Sequence, residues 1–463
     1  MDQEQKDLLL FQLGPVQEFI AQAETIGDLR AGSEMLSALT AAAFAAIPEY
    51  ATESVFPAVK PEAGLKGIPN RFLVFVPSGR GEELGRAAAE AAQKTLRKMA
   101  EEAFPGTGLR EERHDAFMHQ VDAFLQTTWA VLKKPSGEMG ADYKTLGKLM
   151  ALRRNVRTFN AWHEEGTGAV KDFLSGRECA LDVSDTRAPN RNGGRGAMNL
   201  IKKTRWTDAD RLEATKLGPY LAVIALDGDH MGAALSGFAD KDQHRAFSEK
   251  LAAFARSVQI APEDGILIYA GGDDVLAVVK ATRAIPLAKK LAEDFKAKMG
   301  EAGVTASVGI AIGSAKAPLQ DLIHEAHAAE GRAKHVYGRD ALAVSVLKRS
   351  GEIIHWGCKW DSHAFEIYER LSGVKGDLSR FAYKLASFLE PYGLAFDEKM
   401  DDAMRDVVLA ETLHALEQTE GAKDVLDKAL LKDYLEEPGV KAHPKDYLGF
   451  FLCEAFIDRP RGE

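Results

Sequence analysis

The chain has 463 residues, 46% hydrophobic and 28% charged, enough material for about three domains of ordinary size. Its formal charge of −10 excludes a nucleic-acid binder that works through its whole surface, because phosphate contacts need concentrated Lys and Arg. The sequence has no run of eighteen apolar residues and does not open on a basic, cleavable leader, so a cytoplasmic protein with no membrane partner is expected. Three scattered cysteines, Cys179, Cys358 and Cys453, form no CxxC pair and predict buried, inert thiols.

In chain order, a strand over Leu8–Leu13 runs through Gly14-Pro15 into a helical stretch ending near Ala23, with another helix following Ser33. An apolar strand RFLVFVP (Arg71–Pro77) and a long Ala/Glu/Lys helix from about Glu82 to Ala103 complete a first α+β domain, 1–107. Residues 108–215 read as a bridge, helical at first and then Gly/Arg-rich, with few runs able to make strands. Within the bridge, Arg187, Arg191, Arg195, Lys202, Lys203 and Arg205 follow one another with no acid between them. That stretch is either an RNA-contacting loop or a solvated surface segment.

Residues 216–350 are the most regular. Strand Tyr220–Leu226, helix His244–Ser257, strands Ile266–Ala270 and Val275–Val279, helix Ile285–Met299 and strand Thr305–Ile312 predict a βαββαβ unit. A helix over Leu319–His335 and a strand over Ala341–Val346 follow it. Residues 351–463, with apolar positions at helical spacing in Ala364–Leu371, Asp377–Leu389, Asp401–Leu416 and Ala422–Leu435, predict an α-helical C-terminal bundle.

The chemistry sits in the βαββαβ unit. Its first strand ends in LDGDHMG and its hairpin reads YAGGDDVLAVV, so Asp227, Asp229, Asp273 and Asp274 are carried to one edge of a sheet. Gly271 and Gly272 permit positive φ and close backbone approach to a ligand. Clustered carboxylates repel one another unless a hard cation is present, so Asp227, Asp273 and Asp274 are the expected ligands and catalytic groups for Mg²⁺ or Mn²⁺ in two-metal phosphoryl transfer. Asp229 either joins them as a fourth ligand or orders the loop. Lys334 and Arg339, at the end of the following helix, either hold a triphosphate or complement the helix dipole.

These motifs resemble the large subunit of type III CRISPR effector complexes, the GGDD polymerase/cyclase, in its Cmr-type branch. The resemblance rests on GPVQEFIAQAETIGDLRAGSEMLS, GIPNRFLVFVP, LDGDHMG and YAGGDDVLAVV, and spans most of the chain. It implies an α+β chain with two ferredoxin-like, nucleotidyl cyclase-like palm domains, the second catalytic, and cyclic oligoadenylate synthesis from ATP when target RNA is engaged. It also implies nucleotide binding at Gly32 and Ser33, although a Gly-Ser before a helix otherwise reads as an N-cap. The implied partners are guide RNA, target RNA, a neighbour that holds the guide-RNA handle and a small helical subunit. Two departures from the family lead us to expect neither an HD nuclease domain, His114-Asp115 being no substitute, nor zinc, since the middle region holds only Cys179. Alternative readings are a non-catalytic scaffold of the ribonucleoprotein and a GGDEF-like cyclic dinucleotide synthase.

Overall fold

The computed structural model describes residues 6–58, 68–156, 170–183, 194–207, 217–372, 378–393, 400–419 and 425–457. It is an α+β structure with two sheets. The first contains β1 (Lys6–Gly14), β2 (Ser54–Phe56), β3 (Arg71–Pro77) and β4 (Gln126–Leu132), in the order β2-β3-β1-β4. The second contains β5 (Tyr220–Gly228), β6 (Gly265–Gly271), β7 (Asp274–Lys280), β8 (Ala306–Ser314), β9 (Ala341–Leu347) and β10 (Ile353–Lys359), in the order β10-β9-β8-β5-β7-β6. In each, the first strand of a βαββαβ run lies between the third and fourth, and the second lies outside the third. All these pairings are antiparallel.

Helices α1 (Ile26–Ala45) and α2 (Gly81–Ala103) provide the crossovers of the first unit. The first begins earlier than its sequence suggests. Thr25 caps it, its hydroxyl accepting from the Asp28 amide while the Asp28 carboxylate accepts from the Thr25 amide. Ser33 is therefore a mid-helix residue, and neither it nor Gly32 is an N-cap. The bridge expected over 108–215 supplies β4, α3 (Met139–Asn155) and α4 (Ala197–Thr204), and β4 pairs with β1 from Leu8↔Leu132 to Gly14↔Gln126. A run reading QTTWAVL has too few apolar residues to announce itself as a strand, but it needs only one buried face at the edge of a sheet.

The second unit is crossed by α5 (Lys241–Ser257) and α6 (Ala284–Met299), and α7 (Leu319–His335) precedes the parallel partner of β8, β9. β5, β7, β8 and β9 read as unbroken apolar runs because both faces are buried. Ala222, Ile224, Val275, Ala277 and Val279 face α5 and α6, whereas Leu221, Val223, Leu276 and Val278 pack into the core of the first unit. Burying such side chains stabilises the fold by roughly 1.5–3 kcal/mol each, so the two units share a core and hold one fixed relation. β10 lies past residue 350, and helices from Ala364–Ser372 to Lys445–Ile457 pack behind it. Among the described residues no helix is long and apolar enough to cross a membrane.

Two residues of the basic stretch, Arg195 and Lys202, are internal. Arg195 is 6% exposed and ion-paired to Glu24, and the fully buried Lys202 amine donates to the backbone carbonyls of Phe19 and Gln22. Burial lowers the pKa of that amine to about 7. Neither residue is available to RNA; Lys203 and Arg205 are exposed, and Arg187 and Arg191 lie outside the described residues.

Candidate active site

β5 and β8 run side by side through Asp227↔Ser307 to Gly228↔Ala306, and the β6–β7 hairpin closes on Gly271↔Asp274. The turn residues are Gly272, at φ +65°, and Asp273. A two-residue turn that opens on a glycine matches the right-handed twist of the flanking strands, so the local sequence dictates the hairpin. Gly228 lets the end of β5 lie against it, since a Cβ there would come within 2.8 Å of the Cβ of Asp273. The outcome is that carboxylate oxygens of Asp227, Asp273 and Asp274 all fall within 4.8 Å of one another, the only such group of possible metal ligands among the described residues.

Asp229 is placed elsewhere. It is 1% exposed, and its carboxylate accepts from the Thr305 hydroxyl (2.8 Å), the Ser307 hydroxyl (2.8 Å) and the Asp340 amide (2.9 Å). Of the two sequence roles for Asp229, ordering the loop is the one these bonds perform.

Burial raises the pKa of Asp273, and a backbone hydrogen bond and Arg71 pull it part of the way back. Asp274 is held well above the usual carboxylate range by burial, then by Asp273 and Glu330. Three hard oxygen donors whose charges are mutually costly fit a divalent cation of the Mg²⁺ or Mn²⁺ type.

Helix α7 lies directly on β8. A Cβ at Gly309 would stand 2.1 Å from the Ala326 carbonyl oxygen and the Glu330 amide nitrogen, so only glycine admits this packing. The close approach delivers Lys334, whose ammonium pairs with Asp227 and, at 2.6 Å, with Glu330. Burial, then the neighbouring Arg339, lowers the Lys334 pKa to about 8, and burial, then Asp229, raises that of Glu330 to about 7. Arg339 itself adopts φ +62° just past the helix, and its carbonyl, with that of Gly338, accepts from Lys359.

Asp273 and Asp274 line a cleft of about 1070 Å³ between the two units, bordered by them with Gly271 and Gly272 on one side and by Ser33 and Arg71 on the other. Gly32 does not border it; a Cβ there would meet the Lys202 side chain at 3.0 Å. Arg71 is the only cation among the described residues lining the cleft, and its guanidinium donates to Gln12 at 3.0 Å. The sequence reading missed Arg71 and Glu330. The four-residue spacing of Glu330 and Lys334 on a helix was an available signal, but nothing local marks Arg71 as more than the start of a strand.

Comparison with known proteins agrees with this geometry. Residues 220–343 match the family model described as Cas10/Cmr2, second palm domain, and residues 8–104 match CRISPR-associated protein Cmr2, N-terminal. Over these two stretches the chain matches the Cas10/Cmr2 family. It is 31% identical over 201 residues to CRISPR system Cmr subunit Cmr2 of Pyrococcus furiosus, covering 35% of this chain and 23% of that protein. It is 29% identical over 229 residues to the single-strand-specific deoxyribonuclease Cas10/Csm1 of Streptococcus thermophilus, covering 45% of this chain and 28% of that protein. The chain thus spans about a quarter of each relative's length. A Csm1–Csm4 cassette solved in complex with pppApApA superposes over 98% of this chain and 69% of that one, with a TM-score of 0.58 and 15% identity, a likeness of fold. Within the Cas10/Cmr2 second palm, the three clustered aspartates lie at the end of β5 and in the β6–β7 hairpin.

Proposed function

We propose that this chain is the nucleotidyl transferase subunit of a type III CRISPR effector, making cyclic oligoadenylate from ATP when target RNA is engaged. The observation that carries the proposal is the convergence of Asp227, Asp273 and Asp274 within 4.8 Å beside a cleft shared by two βαββαβ units. A relative solved with pppApApA supports the choice of substrate class. A divalent ion bound by the aspartates would offset triphosphate charge and lower the pKa of the attacking hydroxyl.

The chain's own groups do the remainder. Asp273 and Asp274 lie on a rigid hairpin, Ser33 and Arg71 offer a hydroxyl and a guanidinium from the opposite wall, and Lys334 stands beside Asp227 as a cation for phosphate oxygens. The 3′-oxygen of one nucleotide bonds to the α-phosphorus of another, the bond from that phosphorus to the β-bridging oxygen breaks, pyrophosphate leaves with the electron pair, and the hydroxyl proton passes to water. Guide RNA, target RNA and neighbouring subunits are the proposed partners.

The test is incubation with ATP or GTP and Mg²⁺ or Mn²⁺, with and without the assembled guide–target complex, followed by mass spectrometry. Oligoadenylates that disappear in Asp273→Ala/Asp274→Ala are expected. Intact ATP in a demonstrably assembled complex would leave a scaffold role, and cyclic products from GTP alone would favour a cyclic dinucleotide synthase.

A further inference from the structure

Asp274 stands where two clefts meet. The second cleft, about 1620 Å³, shares Gln12, Val16, Gln17, Asn70 and Asp274 with the first and then runs along β4 from Gln126 to Trp129. β4 is the outer strand of its sheet, so one side of its backbone makes no ladder bonds.

The charges of the two clefts differ. The first has one cation, Arg71, whereas the described residues of the second include Arg153, Arg154 and Arg177 against Asp122 and Asp274. Arg153 is held in place. Its guanidinium lies 5.7 Å over the Trp129 ring and pairs with Glu82 at 2.5 Å, and the same carboxylate accepts from the Trp129 indole at 2.9 Å. Behind that ring, Gly85 leaves no room for a side chain, since a Cβ would come within 2.3 Å of it. A fixed planar cation beside an exposed Arg154 at the end of α3 suits successive phosphates of a chain better than one compact triphosphate.

We propose that the second cleft binds the acceptor strand, a linear oligoadenylate whose 3′ end lies at Asp274 and whose phosphates are bound by Arg153 and Arg154, while the first cleft takes the incoming ATP. The assignment rests on the function proposed above. It accounts for a site open on one side, because a growing chain needs a path that lengthens while the reacting end stays in place.

Two measurements on Arg153→Ala/Arg154→Ala test it, with Arg153→Lys as the conservative partner. The first is fluorescence anisotropy of a 5′-labelled linear triadenylate with metal-free protein, in which no turnover occurs. The second is the length distribution of products from ATP. We expect the double variant to bind triadenylate about tenfold more weakly, to bind ATP within about twofold of wild type, and to release a larger share of dinucleotide; Arg153→Lys should recover part of the binding. Unchanged triadenylate affinity and product lengths would overturn the assignment, as would a parallel loss of ATP binding. If the double variant fails to fold, the exposed Arg154→Ala alone decides by the same two readouts. Arginine-dependent triadenylate binding without any synthesis by wild type would sink the proposed function and keep the groove; synthesis with variant and wild-type lengths identical would do the reverse.

Discussion

Lys334, near the end of α7, forms an ion pair with Asp227 at the end of β5, and Glu330 one helical turn earlier holds the other side of the same ammonium. The lysine occupies one oxygen of a metal-ligand candidate, so it competes with a cation there while offering a charge to phosphate. We expect Lys334→Ala to bind Mn²⁺ more tightly without nucleotide, measured by electron paramagnetic resonance, and yet to show a KM for ATP raised about tenfold. Weaker Mn²⁺ binding would mean that the lysine organises the carboxylates instead.

Asp274 is half-buried beside Asp273 and Glu330, and its charged form is costly in the fold. Asp274→Asn removes that cost. The variant should lose turnover by more than about a thousandfold and melt at a higher temperature than wild type in metal-free buffer at pH 8, an advantage that shrinks when Mg²⁺ is added.

Asp229 behaves oppositely. Its carboxylate satisfies two hydroxyls and one amide, each of which would cost about 1–3 kcal/mol if left buried and unpaired. Asp229→Ala is therefore expected to lower unfolding free energy by roughly 3 kcal/mol or more, measured by denaturant titration. A stable Asp229→Ala protein that had lost metal affinity alone would return the residue to the ligand set.

Arg71 reaches the cleft from the first unit and tempers the charge on Asp273. Arg71→Ala should raise the ATP KM about tenfold or more with a smaller fall in kcat, because it removes a phosphate contact and leaves the metal ligands in place. A fall in kcat with unchanged KM would assign the guanidinium to the transition state.

His244 on α5 is buried between the rings of Tyr143 and Phe238, its ring nitrogens without hydrogen bonds among the described residues. Burial lowers its pKa to about 4, against an ordinary 6.5. The unfolded chain therefore binds more protons between those values, and stability falls as pH drops through that window, by at most about 1.4 kcal/mol per pH unit from this residue. His244→Phe should flatten the fall between pH 6.5 and 4 in denaturant titrations; an unchanged slope would place the acid sensitivity elsewhere.

The sequence by itself determined the central parts of the second unit. Alternating turns and apolar runs place β5 to β9 nearly to the residue, because glycine, proline or aspartate marks strand ends and all but the outer β6 are buried on both faces. The GGDD hairpin was legible for the same reason, since a turn is a local property, and with it the convergence of Asp227, Asp273 and Asp274.

Only the tertiary structure decided the rest. β4 and β10 are strands because a sheet edge was there to receive them, which their own composition does not reveal. Asp227 and Asp229 are two residues apart and chemically identical, yet one enters the carboxylate group and the other is consumed by Thr305, Ser307 and Asp340. Lys202 looked like part of an RNA-contacting or solvated surface loop and is a buried strut; Arg71 looked like the start of a strand and also lines the cleft. In each case the deciding partner lies dozens of residues away in sequence, so the role exists only after the chain has folded two units onto one core.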